Sequence, residues 1–140
     1  MPRPKRCSLH VVAGEDVEIP DVEEAVAMVA AVPVADVNNS LKSNIIIMIR
    51  LNCFVKVSAE NKAEVLAAAK RLTEASLKQE GCKAYDIFES ATRPEVLMIC
   101  ETWRDQGALY AHSASKEFHD EVEIMHGNAE MKIEKFEMKK

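Results

Sequence analysis

Ile45-Ile46-Ile47-Met48-Ile49-Arg50-Leu51-Asn52-Cys53-Phe54-Val55-Lys56-Val57 has the pattern of a strand around which a domain is built. Ile49, Leu51, Cys53, Val55 and Val57 alternate with Arg50, Asn52, Phe54 and Lys56. That is the period of two of a strand with one buried face. Ser58 then stands as a cap for a long helix from Ala59 to Glu80. Val65, Leu66, Ala69, Leu72, Ala75 and Leu77 form its core-facing stripe, and Gly81 closes it.

Further along the chain, Cys82 to Ser90 reads as a second strand and Glu95 to Trp103 as a third. Ala91-Thr92-Arg93-Pro94 is the turn between them, so the two strands form a hairpin. A short helix, Asp105 to Ala111, precedes a break near His112 to Ala114, and a longer one, Ser115 to Met125, comes after it. Gly127-Asn128 ends them, and Met131 to Met138 is the last strand. The order β-α-β-β-α-β predicts an α+β domain, the split βαβ of ferredoxin-like folds. The domain is expected to span residues 45–140. Strand three is apolar on both faces, with Val96, Met98 and Cys100 on one side and Leu97, Ile99 and Trp103 on the other. Two helices cover only one face of a four-stranded sheet. A homodimer with sheet facing sheet is therefore expected.

Residues 1–44 differ. They hold four of the five prolines, and their small apolar residues show little pattern. An N-terminal extension is expected here, poorly ordered or with one short helix from Val22 to Val32, capped by Asp21 with Glu24 in capping-box position. A start codon called too early would also account for it, since Met48 opens the domain cleanly.

The net charge of −5 divides into −3 on residues 1–47 and −2 on the rest, so neither part has the basic excess that nucleic acid demands. No apolar run is long enough to span a bilayer, and acids between Glu15 and Glu24 break the order of a signal peptide. Cys7, Cys53, Cys82 and Cys100 contain no C-x-x-C pair and read as reduced thiols. No nucleic acid or membrane partner is expected, and a cytoplasmic location is.

The run Glu101-Thr102-Trp103-Arg104-Asp105-Gln106-Gly107-Ala108-Leu109-Tyr110-Ala111-His112, with Ser115-Lys116-Glu117-Phe118 after it, resembles the antibiotic biosynthesis monooxygenase superfamily, and its quinol monooxygenases in particular. The Glu80-Gly81-Cys82 junction and the strand-opening Met48-Ile49-Arg50-Leu51 resemble it too. The likeness covers Met48 to Lys140. It implies a dimeric α/β barrel, in which the sheets of two subunits face each other, with a pocket in each subunit between sheet and helices. Several relatives oxidise phenols, quinols or anthrones with dioxygen and without metal or flavin. Others degrade haem, and another branch isomerises a phosphorylated signalling molecule. The haem branch is not expected, because it carries Trp where this chain has His112 and a ligating His where this chain has Val122.

Cofactor-free oxygenation needs a base, a donor to hold an oxyanion, and a dry pocket. The expected function is a monooxygenase that uses no cofactor and takes a small aromatic substrate, a quinol, phenol or polyketide-like ring. The alternative is a binding protein or isomerase on the same frame. His112 is the expected catalytic base, with Asn52 as donor and Trp103 as an aromatic wall with an N–H handle. Phe54, Tyr85, Phe118 and His119 are the expected substrate-binding residues. Glu101 is read as a structural carboxylate, because buried carboxylates are usually paired. His112, His119 and His126 are spaced by seven. Such residues climb about 10.5 Å apart along a helix and cannot share one metal, so no metal site is expected. Asn52, Trp103, His112 and Phe118 are expected to converge on one side of the sheet.

Overall fold

The computed structural model describes residues 46–139, and the expected features of residues 1–44 lie outside them. The elements in chain order are β1 (Ile47–Val57), α1 (Lys62–Ser76), β2 (Cys82–Glu89), β3 (Val96–Trp103), α2 (Gln106–Ser113), α3 (Lys116–Asn128) and β4 (Ala129–Lys139). The four strands form one antiparallel sheet in the order β2-β3-β1-β4. This is the α+β, ferredoxin-like arrangement that the strand and helix order predicts.

The alternation in β1 decides which side is the core. Ile49, Leu51, Cys53, Val55 and Val57 are all buried, and Arg50 and Lys56 are exposed. The buried set packs with Leu97 and Ile99 of β3, Val65, Ala68, Ala69 and Leu72 of α1, Leu109 of α2, and Val122 and Met125 of α3. At about 20–30 cal/mol per Å² of apolar surface removed from water, this layer is the main favourable contribution to folding. Helices α1 and α3 are also joined by a two-pronged pair, Arg71 to Glu121, at 2.9 and 2.7 Å. Arg71 is half-exposed, so that pair adds little beyond register.

Helix α1 is shorter than expected. Residues 59–61 form a turn, and Asn61 rather than Ser58 precedes the helix, without a side-chain cap. Its end is also earlier. The N–H groups of Lys78 and Gln79 turn back to the carbonyls of Ala75 and Ser76, and that of Cys82 to Gln79, in successive tight i→i−3 bonds. This unwinding exposes Leu77, a member of the expected stripe, and buries Ser76 in its place. Ser76 is tolerated there because its hydroxyl donates to the carbonyl of Leu72 at 2.6 Å. Gly81 ends the segment at φ +83°, and a Cβ on it would stand 2.4 Å from that of Ala108. Only glycine allows this approach of β2 to α2.

Helix α2 is capped by Asp105, whose carboxylate accepts from the N–H of Ala108 at 2.8 Å. Ser115 caps α3 through the N–H of Phe118. Helix α3 runs past the expected stop near Met125, through Gly127 to Asn128, and passes directly into β4. No helix among the described residues is long and apolar enough to cross a membrane.

Candidate active site

Strand β3 carries Leu97, Ile99, Glu101 and Trp103 on its core face. The last two are the polar end of an otherwise apolar row. Trp103 pairs across the sheet with Ile49 and Glu101 with Leu51, which fixes both under the helices. Tyr85 of β2 sits opposite Glu101 on the other side. Helix α2 brings His112 over this end of the sheet. Its ring centroid lies 4.5 Å from that of Trp103, 5.6 Å from that of Tyr85 and 5.0 Å from that of Phe118. Trp103 and His112 are fully buried, Tyr85 and Glu101 nearly so, and Phe118 is half-buried. His119, expected to bind substrate, is exposed and reaches the group only through its ring contact with Phe118.

The polar contacts are few and directional. The Trp103 indole N–H donates to Glu101 Oε2 at 2.9 Å. His112 Nδ1 is 2.7 Å from Gln79 Oε1. His112 Nε2 is 3.6 Å from Glu101 Oε2, too long for a hydrogen bond, and is a buried atom without a partner. Burial dominates the protonation of this group. It pushes the Glu101 carboxyl up to about 7 against the opposing pull of the indole N–H. It pushes the His112 imidazole down to about 4. The Tyr85 phenol is raised well above its ordinary value by burial and by the nearby Glu101 carboxylate. A neutral imidazole therefore faces a carboxyl group that titrates near neutrality, in a space that water does not reach.

The expected convergence of Asn52 with His112 does not occur. Asn52 pairs with Cys100 and Glu134, and these positions, with Phe54, belong to the sheet face that carries no helices. Asn52 Oδ1 instead accepts from the Cys100 thiol at 3.4 Å, and Cys100 also contacts Arg50. The reason is strand parity: Leu51 and Cys53 point to the helices, so Asn52 and Phe54 point away. The candidate site thus comprises His112, Trp103, Tyr85 and Phe118, joined by Glu101 and by Gln79, which no pattern in the sequence singles out. A solvent-open groove of about 520 Å³ lies at the opposite end of β1, near Lys56, Asn61, Glu95 and His126, and none of these site residues borders it.

Comparison with known proteins decides the family. Residues 48–123 match the profile of the family described as antibiotic biosynthesis monooxygenase, more than half of the chain. The chain belongs to the antibiotic biosynthesis monooxygenase family. This family member is 32% identical over 71 residues to a Bacillus subtilis (strain 168) protein named Putative monooxygenase YcnE, covering 51% of this chain and 75% of that one. A Synechocystis protein of uncharacterised function, sll1783, is 32% identical over 85 residues, and the match spans 58% of this chain and 58% of its own length. Among solved structures, a Bacteroides thetaiotaomicron protein of unknown function, described as a possible oxidoreductase, is 54% identical with a TM-score of 0.64. That likeness covers 65% of this chain and 97% of the other. SnoaB of Streptomyces nogalater, a cofactor-independent oxygenase, shares the fold with a TM-score of 0.59 at 13% identity, over 64% of this chain and 90% of its own. All the candidate residues lie within the span of the family match.

Proposed function

We propose that this family member is a monooxygenase that needs no cofactor and oxidises a small quinol or related electron-rich ring, with the Glu101–His112 pair as its proton acceptor. The observation that carries this reading is the partnerless Nε2 of His112, held neutral and dry beside a carboxyl that titrates near 7. A phenol hydroxyl that reaches His112 Nε2 once Phe118 has moved gives up its proton to the pair. The resulting phenolate is electron-rich enough to reduce dioxygen. The balance closes without an outside reductant: a quinol and dioxygen give a hydroxyquinone and water, all four electrons coming from the ring. Trp103 and Tyr85 offer aromatic walls, and the half-buried Phe118 is the side chain that must swing aside to admit a ring. Dryness raises the worth of each charge in the site.

Aerobic incubation of the protein with a panel of quinols, followed with an oxygen electrode, tests the reading. Oxygen uptake that requires the protein and survives a chelator is the expected result. Proton exchange or isomerisation of an enol without oxygen uptake would favour an isomerase acting through the same pair.

The helix-free face of the sheet carries Phe54, Phe88, Met98 and Phe136, of which Phe88 and Phe136 are exposed. In this reading a second copy of the chain covers these apolar side chains, which stand among Arg50, Asn52, Asp86, Lys132 and Glu134 on the same face, since exposed large apolar groups gathered on one face favour association. Light scattering at micromolar concentration should give a dimer, and Met98→Glu should shift it to monomer. A natively folded wild-type monomer would rule the homodimer out.

A further inference from the structure

We infer that Gln79, in the unwound turn after α1, is a positioning residue that locks His112 in the tautomer whose bare Nε2 faces Glu101. The inference rests on the reading of that pair as the proton acceptor, and deepens it. A chain of hydrogen bonds fixes the tautomer, starting from the end that has no freedom. The carbonyl oxygen of His112 can only accept. Ser115 Oγ lies 2.7 Å from it, so the Ser115 hydroxyl must donate there. With its one proton committed, Ser115 Oγ can only accept from other groups. It accepts from the N–H of Phe118 at 3.3 Å and from Gln79 at 3.2 Å. The Gln79 amide must therefore present its NH₂ to Ser115 and its Oε1 to His112. Gln79 Oε1, 2.7 Å from His112 Nδ1, can only accept, so Nδ1 carries the proton. In a neutral imidazole the other nitrogen, Nε2, is then the unprotonated one.

The backbone is built to hold Gln79 there. A regular helix continued past Ser76 would carry Gln79 round the helix axis. Instead the tight turns from Ala75 to Cys82 end on Gly81, whose approach to Ala108 excludes any larger residue. The same turn that exposes Leu77 aims Gln79 at α2. The bond from Gln79 also ties the loop after α1 to the first residues of α3 through Ser115, so the imidazole is gripped from its own carbonyl and from its ring. Without Gln79 the alternative tautomer gains the advantage, because an Nε2–H could donate to the Glu101 carboxylate. That tautomer has no lone pair facing Glu101.

Long-range ¹H–¹⁵N correlation spectra of the full chain, labelled with ¹⁵N-histidine, read which ring nitrogen is protonated and need no substrate. At a pH just above neutrality the wild-type His112 should show a protonated Nδ1 and a bare Nε2. Gln79→Leu should move most of the proton to Nε2 and lower quinol turnover by about 10- to 100-fold, on the scale of the loss when the outer hydrogen-bond partner of a metal-bound histidine is removed. Gln79→Glu, which keeps an acceptor at the same place, should restore the Nδ1–H form and shift the pH profile of turnover upward. A wild-type His112 protonated on Nε2 would overturn the inference, whether or not Gln79→Leu folds. So would a folded Gln79→Leu with an unchanged tautomer. Failure of the whole quinol panel would count against the oxygenase reading alone, since the spectra stand without turnover.

Discussion

His112→Gln should lower turnover of an accepted quinol by about 10²- to 10⁴-fold, the usual worth of a general base, and leave the fold intact. Glutamine keeps roughly the length of the side chain and a polar tip for Gln79, but it has no basic nitrogen near neutral pH. The size of the effect comes from placement. The imidazole is fully buried among Trp103, Tyr85 and Phe118, so water cannot substitute as base. Binding of the ring should suffer less than the chemical step, because the aromatic walls remain. The loss should therefore appear in kcat more than in KM. A variant that keeps more than about a tenth of wild-type turnover would be inconsistent with a base at this position, given that range.

Much of the fold is legible in the sequence, and the reason is the regularity of period. The alternation from Ile49 to Val57 has one face to fill, and the core forms on that face. The same alternation also contains the correction. A polar amide in a buried-looking strand asks for a partner or a ligand, which is what draws Asn52 into the expected site. Yet parity alone puts it on the face away from Leu51, and that face carries no helices. Glu101 shows the converse. Its parity with Leu97, Ile99 and Trp103 marks a carboxylate on the core face, and a buried carboxylate is costly enough to ask for a role beyond a structural one. Gln79 has no such signal. Its position depends on where α1 unwinds, and a periodic reading continues the helix through Glu80. The end of a helix is set by tertiary contacts, here Gly81 against Ala108, which no local pattern encodes.

The same burial that prepares the pair for proton transfer should leave opposite marks on stability, and two variants can separate them. Glu101 has its carboxyl pushed up from 4.5 to about 7 in the folded protein. Between these values the folded chain holds a proton that the unfolded chain has lost. The contribution of Glu101 is thus fully present below pH 4.5 and is lost as pH rises through about 7. His112 goes the other way, from 6.5 down to about 4. There the unfolded chain holds the extra proton, so its contribution is present above pH 6.5 and is lost as pH falls through about 4. Each shift corresponds to roughly 3 kcal/mol. In the wild type the two slopes run against each other and nearly cancel between pH 4.5 and 6.5. Glu101→Gln removes one of them. Measured against wild type by denaturant titration at a fixed protein concentration, it should gain stability by up to roughly 3 kcal/mol as pH rises from 4.5 to above 7. His112→Gln should show the mirror image, gaining by a similar amount as pH falls from 6.5 to 4. Difference curves that are flat, or that slope the same way, would mean that the two groups do not sit neutral and dry in the folded chain. A base that stays neutral near pH 7 and a carboxyl that titrates there would then both be lost from the site.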